Sequence, residues 1–176
     1  MPAATETAVI VPVGPAEAVV AEHRQRLDPA ASWGVPAHVT VLYPFVPPGS
    51  VDDDVVARLT SAVASTRAFP CTFGACRWFG DEVLWLAPDP AQPFRDLTDA
   101  VVRHFPGFRP YGGEFDEVVP HLTVGESRDG ATADLEAVEV EVCSRLPVTA
   151  RVDHALLMAG TDQPGAWHVV AELPLG

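Results

Sequence analysis

Two of the six histidines in this sequence stand in matching surroundings. Val35-Pro36-Ala37-His38-Val39-Thr40-Val41 and Val119-Pro120-His121-Leu122-Thr123-Val124 each run from a proline-bearing stretch into His, an apolar residue, Thr and Val. Histidine titrates near pH 6.5 when unperturbed, so one of two rings can be neutral while the other holds a proton. The neutral ring can take a proton from an attacking water or hydroxyl, and the charged ring can give one to the leaving oxygen. A threonine hydroxyl two residues along can donate to a phosphoryl oxygen and hold the phosphorus between the rings. Paired His-x-Thr units therefore suit in-line displacement at a phosphodiester without a metal. His38 and His121 share the roles of general acid and general base, in an order the sequence leaves open, and Thr40 and Thr123 orient the phosphate.

Such chemistry requires both units to face one space. Runs 38–45 (HVTVLYPF) and 121–125 (HLTVG) are β-prone. Strand side chains alternate, which puts His38 and Thr40 on one face and Val39, Val41 and Tyr43 on the other. The same rule groups His121, Thr123 and Gly125 against Leu122 and Val124, so Gly125 is expected to leave room for a ligand. Around these strands the pattern predicts strands over 6–13, 69–79, 82–87, 148–159 and 166–173, with a hairpin at Gly80-Asp81. Helices are expected over 15–27, 51–66 (capped by Ser50), 92–105 and 131–145, and loops over 28–37 and 106–119. Interleaved strands, helices and hairpins in one chain make the class α+β, and a length of 176 residues allows one domain or two small lobes.

The composition narrows the function. Eleven basic residues, all arginine, stand against 24 acidic ones, for a net charge of −13. A long groove for nucleic acid needs many cations on one face, so the expected partner is small. No apolar run is long enough to span a membrane. The start MPAATETAVIVPV lacks a basic region and a cleavage site, so no signal peptide is read. The three cysteines show no CxxC spacing, and Cys71 and Cys76, five apart on one predicted strand, should face opposite ways. A reduced, cytoplasmic, monomeric protein with its cysteines as small core residues is the expectation.

Beyond these patterns, the segments VPAHVTVLYPFVPP, EVLWLAPDP and VVPHLTVGES resemble the two-histidine (2H) phosphoesterase superfamily, specifically its 2′-5′ RNA ligase-like proteins. The two motifs, 83 positions apart, match that family's pattern without substitution. The resemblance implies a single two-lobed domain over residues 1–176, a bilobal α+β fold with pseudo-two-fold lobes, antiparallel sheets flanked by helices and a central cleft holding both motifs. It also implies chemistry on 2′,3′-cyclic phosphates or 2′-5′ phosphodiesters. The favoured reading is hydrolysis of a cyclic phosphate on a small nucleotide or RNA end. The alternatives are cleavage or ligation of 2′-5′ linkages, and a module that binds nucleotide phosphates without turnover.

Other residues carry weaker signals. Arg109 and Tyr111, in the Gly/Pro-rich loop before His121, could pair with a phosphate and stack on a base. Trp78 and Trp85 flank the predicted hairpin and read as core. His104 reads as a helix C-terminal cap, and Asp52-Asp53-Asp54 as the acidic start of a helix. No HExxH occurs and neither motif histidine has carboxylates at ligand spacing, so no metal and no cofactor is expected.

Overall fold

The computed structural model describes residues 2–127 and 132–176. In chain order its elements are β1 (Glu6–Pro12), α1 (Glu17–Leu27), α2 (Pro29–Ser32), β2 (His38–Leu42), α3 (Asp53–Ala64), β3 (Phe69–Phe79) and β4 (Val83–Asp89). They continue with α4 (Gln92–His104), β5 (Leu122–Glu126), α5 (Thr132–Cys143), β6 (Val148–Val152), β7 (His154–Gly160) and β8 (His168–Pro174). The strands form two four-stranded antiparallel sheets, ordered β2-β1-β7-β8 and β5-β4-β3-β6. The class is α+β, as the interleaved pattern predicts. The two motif strands, β2 and β5, are each the outer strand of a sheet, and they pack against one another.

One buried cluster runs through both sheets, from Val9, Val11, Val39 and Leu157 in the first to Phe73, Leu84, Leu86 and Leu122 in the second. The first sheet also carries apolar side chains on its other face, where Ala8, Ile10, Leu156 and Met158 pack with Val35 and Trp167. This double coverage explains why β1 and β7 read as unbroken apolar runs rather than alternating ones.

The predicted strand over 148–159 is two strands in different sheets. β6 alternates buried and exposed residues at the edge of the second sheet, whereas β7 is buried along its length in the interior of the first. Helix α3 is capped by Asp52, whose carboxylate accepts from the Val55 N–H at 2.9 Å, rather than by Ser50. The predicted loop 28–37 contains the short helix α2, capped by Asp28. The predicted start of the last helix, residue 131, lies outside the described residues.

Bulges correct three face assignments. Gly74 is an extra residue in β3 opposite β4, so the parity flips within the strand. Cys71 and Phe73 before it and Cys76 and Trp78 after it then all pack toward the same core, and the two cysteines do not face opposite ways. The cysteines are not uniformly core residues either. Cys71 is buried, but Cys143 is exposed and its Sγ lies 3.0 Å from that of Cys76. The other two bulges shape the site.

Candidate active site

Each motif strand carries one extra residue immediately after its threonine. Opposite β1, Thr40 pairs with Ile10 and Leu42 with Val9, leaving Val41 as the insertion. Opposite β4, Thr123 pairs with Trp85 and Gly125 with Leu84, leaving Val124 as the insertion. A bulge frees backbone groups from the ladder, and at Val41 the carbonyl accepts a hydrogen bond from the Thr98 hydroxyl of α4 at 2.8 Å.

Both bulges overturn expectations. After Val41 the strand parity reverses, so Leu42 is fully buried and Tyr43 joins His38 and Thr40 on a cavity wall instead of facing the core. After Val124, Gly125 turns away from the cavity and provides no space for a ligand. A Cβ there would stand 2.8 Å from Leu27 Cβ of α1 and 2.9 Å from Leu135 Cδ2 of α5. The glycine serves a close approach of two helices to the sheet.

His38, Thr40, His121 and Thr123 line one cavity of about 620 Å³, together with Tyr43, Phe79 and Tyr111. The two rings are held identically. His38 Nδ1 lies 2.7 Å from the carbonyl of Pro36, and His121 Nδ1 lies 2.7 Å from the carbonyl of Val119. A carbonyl only accepts, so each Nδ1 carries the proton and each Nε2 lone pair is left to act as a base. The loop into β2 is clamped further by α1. The Arg24 guanidinium, buried in a pair with Asp28 at 2.9 Å, donates to the Val35 carbonyl at 3.2 Å, and Glu17 accepts from the Ala37 N–H at 2.7 Å.

Burial disfavours the charged imidazole at both positions. His38 is lowered to about 4, by desolvation first and then by the nearby Arg24 charge, against the opposing pull of the Pro36 hydrogen bond. A proton on His121 is also felt at His38. His121 is itself lowered, mainly by desolvation. Its ring sits against an aromatic pair, with Phe79 edge-on at 4.9 Å and Trp85 at 5.9 Å, while Phe79 and Trp85 stack at 4.7 Å. Trp78, in contrast, packs on the core.

Around His38 the neighbours differ. A second, apolar cavity of about 290 Å³, lined by Ile10, Trp33, Met158 and Trp167, opens beside His38, Thr40 and Tyr43. The Tyr43 hydroxyl donates to Glu6 at 2.9 Å, and burial pushes it up to about 12. Tyr111 reaches the same wall from the loop before His121. Burial raises its hydroxyl above the usual phenol value, against a smaller opposing pull from the Thr40 side chain, and its ring lies edge-on to Phe115 at 5.6 Å. Its φ of 50° makes it the one non-glycine among the described residues in the left-handed region, a conformation that costs on the order of 1–3 kcal/mol. Arg109 lies instead in a neighbouring cavity with Arg95, Thr98 and Asp116, which meets the first at Thr40.

The residues unseen in the sequence are Phe79, Tyr43 and the Arg24 clamp. Phe79 and Tyr43 are hidden by bulges. Arg24 had a readable signal, an Arg-x-x-x-Asp pair on a helix ending at the motif loop. Two set-aside histidines are bound elsewhere. His104 Nδ1 donates to the Ala100 carbonyl at 2.9 Å, and the buried His23 lies 3.5 Å from Glu141. Among the described residues no group of three or more His, Cys, Asp or Glu is arranged to hold a metal ion. No described helix is long and apolar enough to cross a membrane.

The profile of the 2′-5′ RNA ligase superfamily matches residues 11–163, most of the chain and both motifs. The chain belongs to the 2′-5′ RNA ligase superfamily. Its fold is shared with several solved structures at low identity. Escherichia coli LigT in complex with 3′-AMP is 15% identical, covers 98% of this chain and 99% of its own, and superposes with a TM-score of 0.58. The Thermus thermophilus protein TT0787 is 14% identical over 96% of this chain and 97% of its own, with a TM-score of 0.58. A protein described as a phosphoesterase is 16% identical over 97% and 98%, with a TM-score of 0.57. No curated protein matches the sequence.

Proposed function

We propose that this superfamily member hydrolyses a 2′,3′-cyclic phosphate on a small nucleotide or RNA end, without a metal. The observation that carries the reading is the pair of histidines on one cavity, each with Nδ1 on a backbone carbonyl and a threonine two residues on. With a cyclic phosphate between the rings, the Nε2 of one neutral histidine takes a proton from water as its oxygen attacks phosphorus. The Nε2–H of the other protonates the leaving ribose oxygen. Thr40 and Thr123 donate to the non-bridging oxygens, on which negative charge builds. His38, held lowest by burial and Arg24, is the member suited to stay neutral and act as the base, and His121 is then the acid.

Both rings resist protonation in these surroundings, so the acid must gain its proton as the anionic substrate arrives. The sign follows directly. The base is competent above about pH 4, and the acid is charged only below its own lowered value, under 6.5. The bell of kcat/KM is therefore expected to peak on the acid side of neutrality, its two limbs belonging to the coupled pair. A cavity of this size is in the range for a small ligand, and the −13 chain charge disfavours an extended polyanion. E. coli LigT has been crystallised with 3′-AMP, NADP+ and ATP, which supports a nucleotide-sized ligand here.

The test is turnover of 2′,3′-cyclic AMP in EDTA, with the product identified as a 2′- or 3′-monophosphate. Turnover is expected to survive chelation. Activity only on a 2′-5′-linked dinucleotide would replace this reading with the linkage-cleaving one. Nucleotide binding with no turnover of either would leave a binding module.

A further inference from the structure

Cys76 and Cys143 are 67 positions apart in the sequence, yet their Sγ atoms stand 3.0 Å apart where the end of α5 meets β3. The bulge at Gly74 makes this contact. Without the extra residue, strand parity would turn Cys76 away from the face that Cys71 and Phe73 occupy, and so away from the core on which α5 packs. Cys76 is half-buried and Cys143, the last residue of α5, is exposed, so solvent reaches the pair, whereas Cys71 is buried. The pair lies on the sheet face away from the cavity. Cys76 is in register with Leu86, and Leu86 with the buried Leu122, while Thr123 on the other face lines the cavity. The two-histidine chemistry makes no use of either thiol.

We propose that Cys76 and Cys143 form a reversible disulfide that ties α5 to β3 and closes a covalent loop around the half of the site that carries His121. The oxidant is a low-molecular-weight disulfide. The exposed Cys143, as thiolate, attacks one of its sulfurs; that S–S bond breaks and a first small thiol leaves. The Cys76 sulfur then attacks Cys143 Sγ, gives up its proton and expels the second small thiol. Two cysteines are oxidised, one small disulfide is reduced to two thiols, and the two protons lost by the protein end on those thiols. Burial first, and then the neighbouring Cys143, push the Cys76 thiol up to about 12, which leaves the first attack to Cys143. The part due to Cys143 lapses once that sulfur is held in the mixed disulfide. The closed loop holds β4, α4 and β5, and with them Trp85, His121 and Thr123. Its closure stabilises by restricting the unfolded chain, and on the face away from the cavity it leaves the site open.

The test equilibrates the full chain with mixtures of reduced and oxidised glutathione, quenches with an alkylating reagent and measures free thiols, intact mass and thermal unfolding. Oxidation is expected to take the three free thiols of the chain to a single one, at Cys71, with the mass lower by two hydrogens and the protein still a single chain on a non-reducing gel. The melting temperature of the oxidised form should lie roughly 5–15 °C above that of the reduced form. Reduction with excess dithiol should reverse both changes. In Cys76→Ser and in Cys143→Ser the rise on oxidation should vanish. Three persisting thiols, a disulfide-linked dimer through Cys143, or glutathione retained on Cys143 would each overturn the proposal, the last by showing that Cys76 does not reach its partner. An intramolecular bond that forms without raising the melting temperature would overturn the closed loop as a source of stability. Every readout is independent of what the cavity binds or turns over.

Discussion

The two halves of the site share their backbone geometry and little else. Both histidines bond the carbonyl two residues earlier, at the same 2.7 Å, and both strands bulge one residue past the threonine. Beyond that the halves diverge. The ladder partner of Thr40 is Ile10, on the wall of an apolar cavity, and that of Thr123 is Trp85, stacked on Phe79 beside His121. The residue after the first bulge is Leu42, and after the second Gly125. On the proposed reading, in-line displacement needs like groups on opposite sides of phosphorus, which accounts for the equal inner geometry. The nucleotide proposed as its ligand has different groups on its two sides, and on that reading the outer shells are free to differ.

Several substitutions break or sharpen this comparison. The largest effect is expected where the halves are the same. His38→Ala and His121→Ala should each lower kcat/KM by about 10²–10⁴-fold, and the double variant should fall well short of the product, because both act in one transition state. Steady-state kinetics on 2′,3′-cyclic AMP, with circular dichroism to confirm folding, checks this; a folded single variant with wild-type turnover rules the two-histidine mechanism out.

Next come the positions where the halves diverge most. Leu42→Ala should open a cavity and cost about 2–5 kcal/mol, whereas Gly125→Ala should overpack against Leu27 and Leu135 and cost about 1–3 kcal/mol. Urea unfolding reads both, and a neutral Gly125→Ala would show that the approach of α1 and α5 is not tight. Thr40→Ala and Thr123→Ala remove one phosphoryl contact each. They should lower kcat by roughly 10–10³-fold, with stability little changed.

The smallest effect is in folding rather than turnover. His38 is held to about 4 in the folded protein against 6.5 for the free side chain, so between those values the unfolded chain binds more protons. The stability this residue contributes is present above pH 6.5 and is lost as pH falls toward 4. Denaturation at pH 7 and pH 4.5 should show the wild type losing roughly 2 kcal/mol more than His38→Ala over that interval. Equal losses would mean that His38 is better solvated than its surroundings indicate.

How much of this was legible in the residues depended on strand parity. Parity put His38 with Thr40 and His121 with Thr123, because each pair lies before its bulge. It failed at Tyr43, Gly125 and Cys76, because each lies after one. Bulges are set by what packs on a strand from other elements, here Thr98 on the Val41 carbonyl, and no local residue pattern announces them. The division of 148–159 was more accessible. Val148 to Val152 alternates like an edge strand, and Ala155 to Ala159 is continuously apolar like a central one. The left-handed Tyr111 was out of reach, since its neighbours Gly112 and Gly113 suffice to predict a turn and say nothing about where a tyrosine hydroxyl ends up.

The order of the strands also bears on how the protein is made. The sheet carrying His121 is drawn from one continuous stretch, residues 69–152, and can close as soon as that stretch has left the ribosome. The sheet carrying His38 cannot. Its interior strand β1 pairs through Thr7 with Ala159, far along the chain, and until β7 emerges β1 and β2 form only a two-stranded ribbon, which is marginal in water. The nascent chain therefore completes its second half-site first and holds the first open until β7 is made, with the apolar run of β1 exposed for that time and dependent on whatever shields nascent chains in the cell.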